Sequence, residues 1–216
     1  MPQFHKTSLH VSWIGRVPSL ALTVVLCVYA LVLATPKDSF AVEPQYITEW
    51  GDHGAAPGQL DHPLGMVLDS QNRLVIADTR NQRVQRFDRQ GNYIDGWGKY
   101  GTGAGEFIYP VAVAIGPNND VYVVDLGSYS VSRFTDSGEF ILKWGELGTE
   151  VGQFMGPYAI VVDDDSNVYV SDRTSNNVQK FTQDGELIDV WQDGATHGGT
   201  YGNTMAMTLG PDGMIY

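Results

Sequence analysis

The sequence predicts an all-β protein, a β-propeller of four-stranded blades preceded by an N-terminal signal or anchor helix. Three observations predict it. Landmark residues recur at intervals of 47 along the chain. Each interval reads as four short strands punctuated by turn residues. After residue 41 no stretch carries a helical period.

Tryptophan measures the repeat. Trp50, Trp97, Trp144 and Trp191 are each 47 residues apart. The same interval separates Asp78, Asp125 and Asp172, and likewise Phe87, Phe134 and Phe181. It also separates Gly91, Gly138 and Gly185, and Pro63, Pro110 and Pro157. The second interval shows how one period becomes four strands. Residues 111–115, VAVAI, are an apolar run suited to a strand buried on both faces. Gly116-Pro117-Asn118-Asn119 is a turn signal. Residues 120–125, DVYVVD, are β-branched and aromatic, which favours a second strand. Residues 126–129 are a loop, and SVSRF, ending at Phe134, is the third strand. Asp136-Ser137-Gly138 turns the chain into EFILKW, the fourth. A glycine-rich connection, GELGTEVGQFMGP at residues 145–157, then leads into the next first strand.

Four-stranded units at a period near 45 residues are the signature of a propeller. One blade alone leaves both apolar faces wet, so blades must stack around an axis. Tryptophan at the end of the outermost strand is wide enough to cap the seam between neighbours. The repeat region is placed at residues 42–216, with repeats at about 46–92, 93–139 and 140–186 and a partial one at 187–216.

The run W-G-x-x-G, then G-Q-F or G-E-F, then proline and an apolar strand, then V-Y-V-x-D and V-x-R/K-F resembles the NHL-repeat family. Trp144, Gly145, Gly148, Gly152, Gln153, Phe154 and Pro157 carry its first half. Val168, Tyr169, Val170, Asp172, Asn177, Val178, Lys180 and Phe181 carry its second. The resemblance covers about residues 46–216 and implies a propeller, commonly of six blades. Six blades at this period exceed 216 residues. The expectation is therefore a fragment holding three full blades and part of a fourth.

Residues 1–41 read differently. Lys6 and Arg16 precede the apolar run at residues 20–34. This fits a secretory signal peptide, with Ser39 and Ala41 before a cleavage at Val42, or with cleavage near Ala34. Residues 17–34 are also just long enough for an uncleaved membrane anchor. Either way the repeats are expected outside the cytoplasm: secreted or periplasmic, or membrane-anchored if residues 17–34 are retained. The sole cysteine, Cys27, lies inside the apolar run. The repeat region thus holds no disulfide, thiolate site or cysteine nucleophile. Residues 42–216 carry 10 Lys and Arg against 24 Asp and Glu, a formal charge of −14. That repels nucleic acid and confines membrane contact to the N-terminal segment.

In a propeller the loop after strand four and the loop between strands two and three share one rim. Here that rim is residues 51–63, 98–110, 145–157 and 192–204, with 79–82, 126–130 and 173–177. Asp78, Asp125 and Asp172 end the second strands and read either as a ring of carboxylates for a cation or as acceptors of N–H bonds in their own loops. Recurrence in every blade favours the structural role. Departures from the repeat are more informative. Arg80, Arg83, Tyr129 and Arg173 stand where other blades differ and read either as ordinary solvated loop side chains or as contacts for an anionic or sugar-like ligand. Asp163-Asp164-Asp165-Ser166-Asn167 lacks the glycine and closing glutamate of a calcium loop and reads as a hairpin turn on the opposite rim.

His53 and His62 share one rim loop, but no third metal ligand is evident from spacing, and His197 lies far along the chain. No catalytic cluster is visible. The expected function is an extracytoplasmic binding or scaffold module for protein, peptide or glycan, without an evident cofactor. The alternative is a metal-dependent lyase or hydrolase, similar to the peptidyl-hydroxyglycine amidating lyase, which holds zinc on its rim, with its site completed by residues missing from this chain. Its histidine positions are occupied here by Leu64, Val111 and Tyr158, and by Asn81, Tyr129 and Asn177 or their neighbours. Zinc or calcium enters only under that alternative. A third reading, RNA binding as in tripartite-motif NHL proteins, is opposed by the charge.

Overall fold

The structure, a computed structural model, describes residues 48–192 and 205–216. The signal or anchor segment, the boundary at residues 41 and 42, the last rim loop and His197 lie outside the described residues. Twelve strands form three four-stranded antiparallel sheets. The first holds β1 (Pro63–Leu68), β2 (Leu74–Asp78), β3 (Arg83–Phe87) and β4 (Tyr93–Trp97). The second holds β5 (Pro110–Ile115), β6 (Val121–Asp125), β7 (Ser130–Phe134) and β8 (Phe140–Trp144). The third holds β9 (Pro157–Val162), β10 (Val168–Asp172), β11 (Asn177–Phe181) and β12 (Leu187–Gln192). Within each sheet the spatial order follows the chain. β1 packs against β5 and β5 against β9, so the first strands line a common hub and β4, β8 and β12 are outermost. These are propeller blades, arranged as the repeat predicts.

The second strands, LVIAD, VYVVD and VYVSD, are buried at every residue. Their β-branched and aromatic side chains fit a central strand covered on both faces. The outermost strands are half open, with Tyr93, Ile94, Phe140 and Ile141 all exposed. One helical element occurs among the described residues, a single 3-10 turn at Thr79–Asn81. It differs from the all-strand expectation only by closing the β2–β3 loop of the first blade.

The seams between blades are aromatic. Trp97, ending β4, lies 5.8 Å from Phe134 of the second blade, and Trp144, ending β8, lies 5.9 Å from Phe181 of the third. Trp50 caps the first blade in the same manner, 4.9 Å from Phe87. Phe107 and Phe154, from the connections between blades, enter the same seams, 5.7 Å from Phe134 and 5.8 Å from Phe181. The tryptophans rest on the turn before the fourth strand. A Cβ added to Gly138 would stand 2.8 Å from the Trp97 ring, and Gly138 has φ +81°. Glycine is required there twice, for space and for the left-handed backbone.

Arginine adds a polar staple across each seam. The Arg86 guanidinium pairs with Asp95 in its own blade and reaches the Asp136 carbonyl in the next. Arg133, 47 residues on, bonds Asp120 and then the Gln183 carbonyl at 3.2 Å and Asp184 at 3.0 Å. In the third blade Lys180 takes this place and lies 5.1 Å over the Tyr169 ring.

A repeat counted from the residue after one tryptophan to the next, 51–97 or 98–144, encloses one whole sheet, and its final residue caps the following blade; bounds at about 46–92, 93–139 and 140–186 fall instead just before each outermost strand. Residues 205–216 continue the pattern: Leu209 and Ile215 form an antiparallel bridge, and Thr208 and Tyr216 exchange backbone bonds of 2.9 Å. They lie 47 residues beyond Val162, Val168, Val161 and Tyr169, which occupy the first hairpin of the third blade.

The β9–β10 turn is the hairpin read from the sequence. Asp163 accepts the backbone N–H groups of Asp165 and Asn167, the Asn167 amide and the Tyr169 hydroxyl. Burial pushes the Asp163 carboxyl up, but these bonds outweigh it and hold the group below its ordinary value. A carboxylate depressed in the folded state stabilises fully above its unfolded pKa, near ~4, and loses that contribution as pH falls through the folded value. Urea midpoints are therefore expected to fall on acidification below about pH 4, and to fall less steeply in Asn167→Ala. For the seam, Phe134→Ala is expected to cost about 3–5 kcal/mol in urea unfolding, since Phe134 is 1% exposed. Gly138→Ala should lower stability by at least about 1 kcal/mol, because strain and the Trp97 contact act together.

Candidate functional site

The rim is assembled by three carboxylates. Asp78, Asp125 and Asp172 are fully buried. Asp172 accepts Thr174 and Ser175 N–H bonds from its own loop at 2.9 and 2.8 Å, and Met155 and Gly156 N–H bonds from the preceding connection at 2.6 and 3.1 Å. Asp125 does the same with Gly127 and Ser128 on one side and Ile108 and Tyr109 on the other. Asp78 accepts the Asp61 N–H at 2.7 Å and the Asn81 amide at 2.9 Å. The structural role read from the sequence is thus too narrow: each aspartate ties its own loop to the connection some 16 or 17 residues earlier. A sequence period shows recurrence and not reach.

Glutamines complete the tie. Gln179 accepts the Gly152 N–H at 2.7 Å and donates to the Gln153 carbonyl at 2.8 Å. Gln85 makes the matching pair with Gly58 and Gln59 at 2.9 and 2.7 Å. Sequence reasoning passed over both, although they stand at matching places in the first and third repeats, with Ser132 between.

The four residues expected to face a ligand have different surroundings. Arg83 is engaged internally: its guanidinium donates to Asp78 at 2.8 Å and to the carbonyls of Ala55, Ala56 and Gln59. Tyr129 sits in the second blade's rim loop at φ 54°, with its ring packed on the core between the second and third blades. Arg80 is 54% exposed and only 4.0 Å from Asp61. The Arg173 guanidinium stacks on Tyr158 at 4.5 Å. Its backbone N–H donates to the Gly156 carbonyl at 3.1 Å, which holds it beside the first strand of its blade.

His53 and His62 do meet, through Asp61. The Asp61 carboxylate lies 2.6 Å from His62 Nδ1 and 3.5 Å from His53 Nε2. The His62 hydrogen bond holds the Asp61 carboxyl below its ordinary value. Among the described residues no group of three or more His, Cys, Asp and Glu side chains is arranged to hold a metal ion.

Known proteins agree with this architecture. A family described as a 6-bladed beta-propeller matches residues 62–134, about a third of the chain. Protein brain tumor of Drosophila melanogaster is 39% identical over 46 residues, covering 21% of this chain and 4% of that protein. Protein lin-41 of Caenorhabditis elegans is 38% identical over 55 residues, covering 26% and 5%. Both are NHL-repeat proteins, to which the similarity is distant. Among solved structures, a streptogramin B lyase superposes with a TM-score of 0.58 at 14% identity, covering 79% of this chain and 51% of that one. Kuenenia stuttgartiensis hydrazine synthase gives 0.54 at 19% identity, covering 78% and 44%. The chain thus spans a few per cent of the curated relatives and about half of the solved propellers. The fold is a β-propeller, and its repeats are NHL-like.

Asp172→Ala removes the shared acceptor of four N–H groups. It is expected to cost upwards of about 3 kcal/mol and to speed hydrogen exchange at Met155, Gly156, Thr174 and Ser175 ahead of the strands.

Proposed function

We propose that the chain is a binding module whose rim loops hold a protein, peptide or glycan ligand. One observation carries this reading. The residues that build the rim repeat, while those it presents near the hub do not. Asp78, Asp125 and Asp172 are the same in every blade, yet Arg80 stands opposite Gly127 and Thr174, and His62 opposite Tyr109 and Gly156. Likewise Asp61 stands opposite Ile108 and Met155. Selection for the fold alone gives no reason for such asymmetry on a symmetric frame. A rigid scaffold with varied loops is the usual arrangement for recognition. The export or anchor segment read from residues 1–41 would place the rim outside the cytoplasm, where such ligands occur.

A second reading, a metal-dependent lyase or hydrolase, has the Asp61 carboxylate beside two imidazoles to draw on, a group not itself arranged to hold a metal ion among the described residues. Metal analysis of the full-length protein separates the two: stoichiometric zinc supports the enzyme.

The test is selection of a random peptide library and a glycan array on the full chain. Retained ligands are expected to lose at least about ten-fold in affinity on Tyr109→Ala with Arg80→Ala. They should be indifferent to Asp164→Ala with Asp165→Ala on the opposite rim. No ligand above an unrelated acidic protein, or equal sensitivity to both pairs, overturns the proposal.

A further inference from the structure

The third blade presents a guanidinium that no carboxylate or carbonyl engages among the described residues. Most arginines of the repeat region are committed to carboxylates. Arg73 bonds Asp69 and Asp136, Arg83 bonds Asp78, Arg86 bonds Asp95, and Arg133 bonds Asp120 and Asp184. Arg173 is different. Its guanidinium lies 4.5 Å over the Tyr158 ring, and among the described residues it has no carboxylate or carbonyl acceptor.

The position explains why this is not filler. Arg173 follows Asp172 directly and stands where the first two blades have Thr79 and Leu126. Thr79 is fully buried and donates its hydroxyl to the Pro110 carbonyl of the next blade at 2.7 Å. Leu126 packs on the core between the second and third blades. Both therefore serve a seam. In the third blade the same backbone place holds a half-buried cation, fixed by the Asp172 loop bonds and by an aromatic face. A stacked guanidinium keeps its N–H edge free in the ring plane and is pre-organised for a planar bidentate acceptor. One apolar neighbour is at hand: Met155, whose N–H is bound by Asp172, is 38% exposed and precedes Gly156, whose carbonyl takes the Arg173 N–H.

We propose that Arg173, stacked on Tyr158, is a carboxylate clamp for an acidic peptide, with Met155 taking a neighbouring apolar side chain. The proposal rests on the rim-binding reading and names its ligand class. Aspartate or glutamate next to aliphatic residues satisfies both halves of the site. A uronic-acid glycan would meet the guanidinium alone, because aliphatic Met155 offers no flat face for a sugar ring. The chain's strong negative charge disfavours anions in general, so a carboxylate is retained only where a guanidinium is both unpaired and held in place by an aromatic face.

The experiment measures fluorescence anisotropy of the full chain with a labelled peptide of alternating glutamate and leucine, beside its glutamine–leucine counterpart. Polyuronate and single-stranded RNA are tested as competitors. The acidic peptide is expected to bind and the glutamine version to bind at least ~10-fold more weakly, the size of a charge-assisted pair. Arg173→Gln should abolish that preference and Arg173→Lys should restore only part of it. Arg89→Gln, an exposed charge on the opposite rim, should leave it intact. Arg173→Gln removes no ion pair among the described residues and only the stack on Tyr158, so its thermal midpoint should fall by a few degrees at most and binding can be compared on folded protein. Equal binding of the two peptides, or indifference to Arg173→Gln, overturns the clamp. So does displacement of the acidic peptide by polyuronate or RNA at lower concentration than by unlabelled peptide. Library ligands that need Tyr109 and Arg80 but carry no acid would overturn the clamp and leave the binding module standing. Absence of any rim ligand would end both.

Discussion

A sheet that is apolar on both faces cannot stand in water, and this constraint governs the whole molecule. The second strand of each blade is buried along its entire length. Burial of this kind needs a neighbour on either side, since removal of apolar area from water is the main stabilising term. The seams answer with wide aromatic rings where the blades diverge from the hub. The indole N–H groups of Trp97 and Trp144 are buried without an acceptor among the described residues. Each such group costs on the order of 1–3 kcal/mol, so the packing of the rings must outweigh it.

The same frame separates architecture from recognition. Buried aspartates and glutamines turn the long glycine-rich connections into fixed surfaces, bonding backbone N–H groups that would otherwise be left to water. Once a loop is held by its backbone, its side chains are released from structural duty. The first blade can then hold a histidine–aspartate–histidine group, the second a tyrosine, and the third a methionine beside an arginine, without altering the strands beneath.

Much of this was legible in the sequence because a blade is a local object. The 47-residue interval, the turn signals and the alternation of apolar runs locate all twelve strands, and the seam role of tryptophan follows from its place at a strand end. The candidate site was read less well. Arg83 departs from the repeat as Arg173 does, yet Arg83 is spent on Asp78 and three carbonyls while Arg173 is not. Nothing in composition or spacing distinguishes them. The difference lies in the fold of the connection at residues 55–59, which curls back over Arg83. Asp61 was likewise invisible as the meeting point of two histidines, because neighbours in sequence carry no rule for which atoms touch.

The caps and arginine staples all point one way along the chain. Trp50, Trp97 and Trp144, and the strand-three arginines Arg86 and Arg133, reach forward into the following blade at a constant offset, so neither described seam refers to its ordinal place. Gene duplication or loss of one such length would splice a wedge in or out while every remaining joint found its usual partner. Propellers of this design can change circumference in single steps during evolution, with selection left to act on whatever the newly arrived loops display.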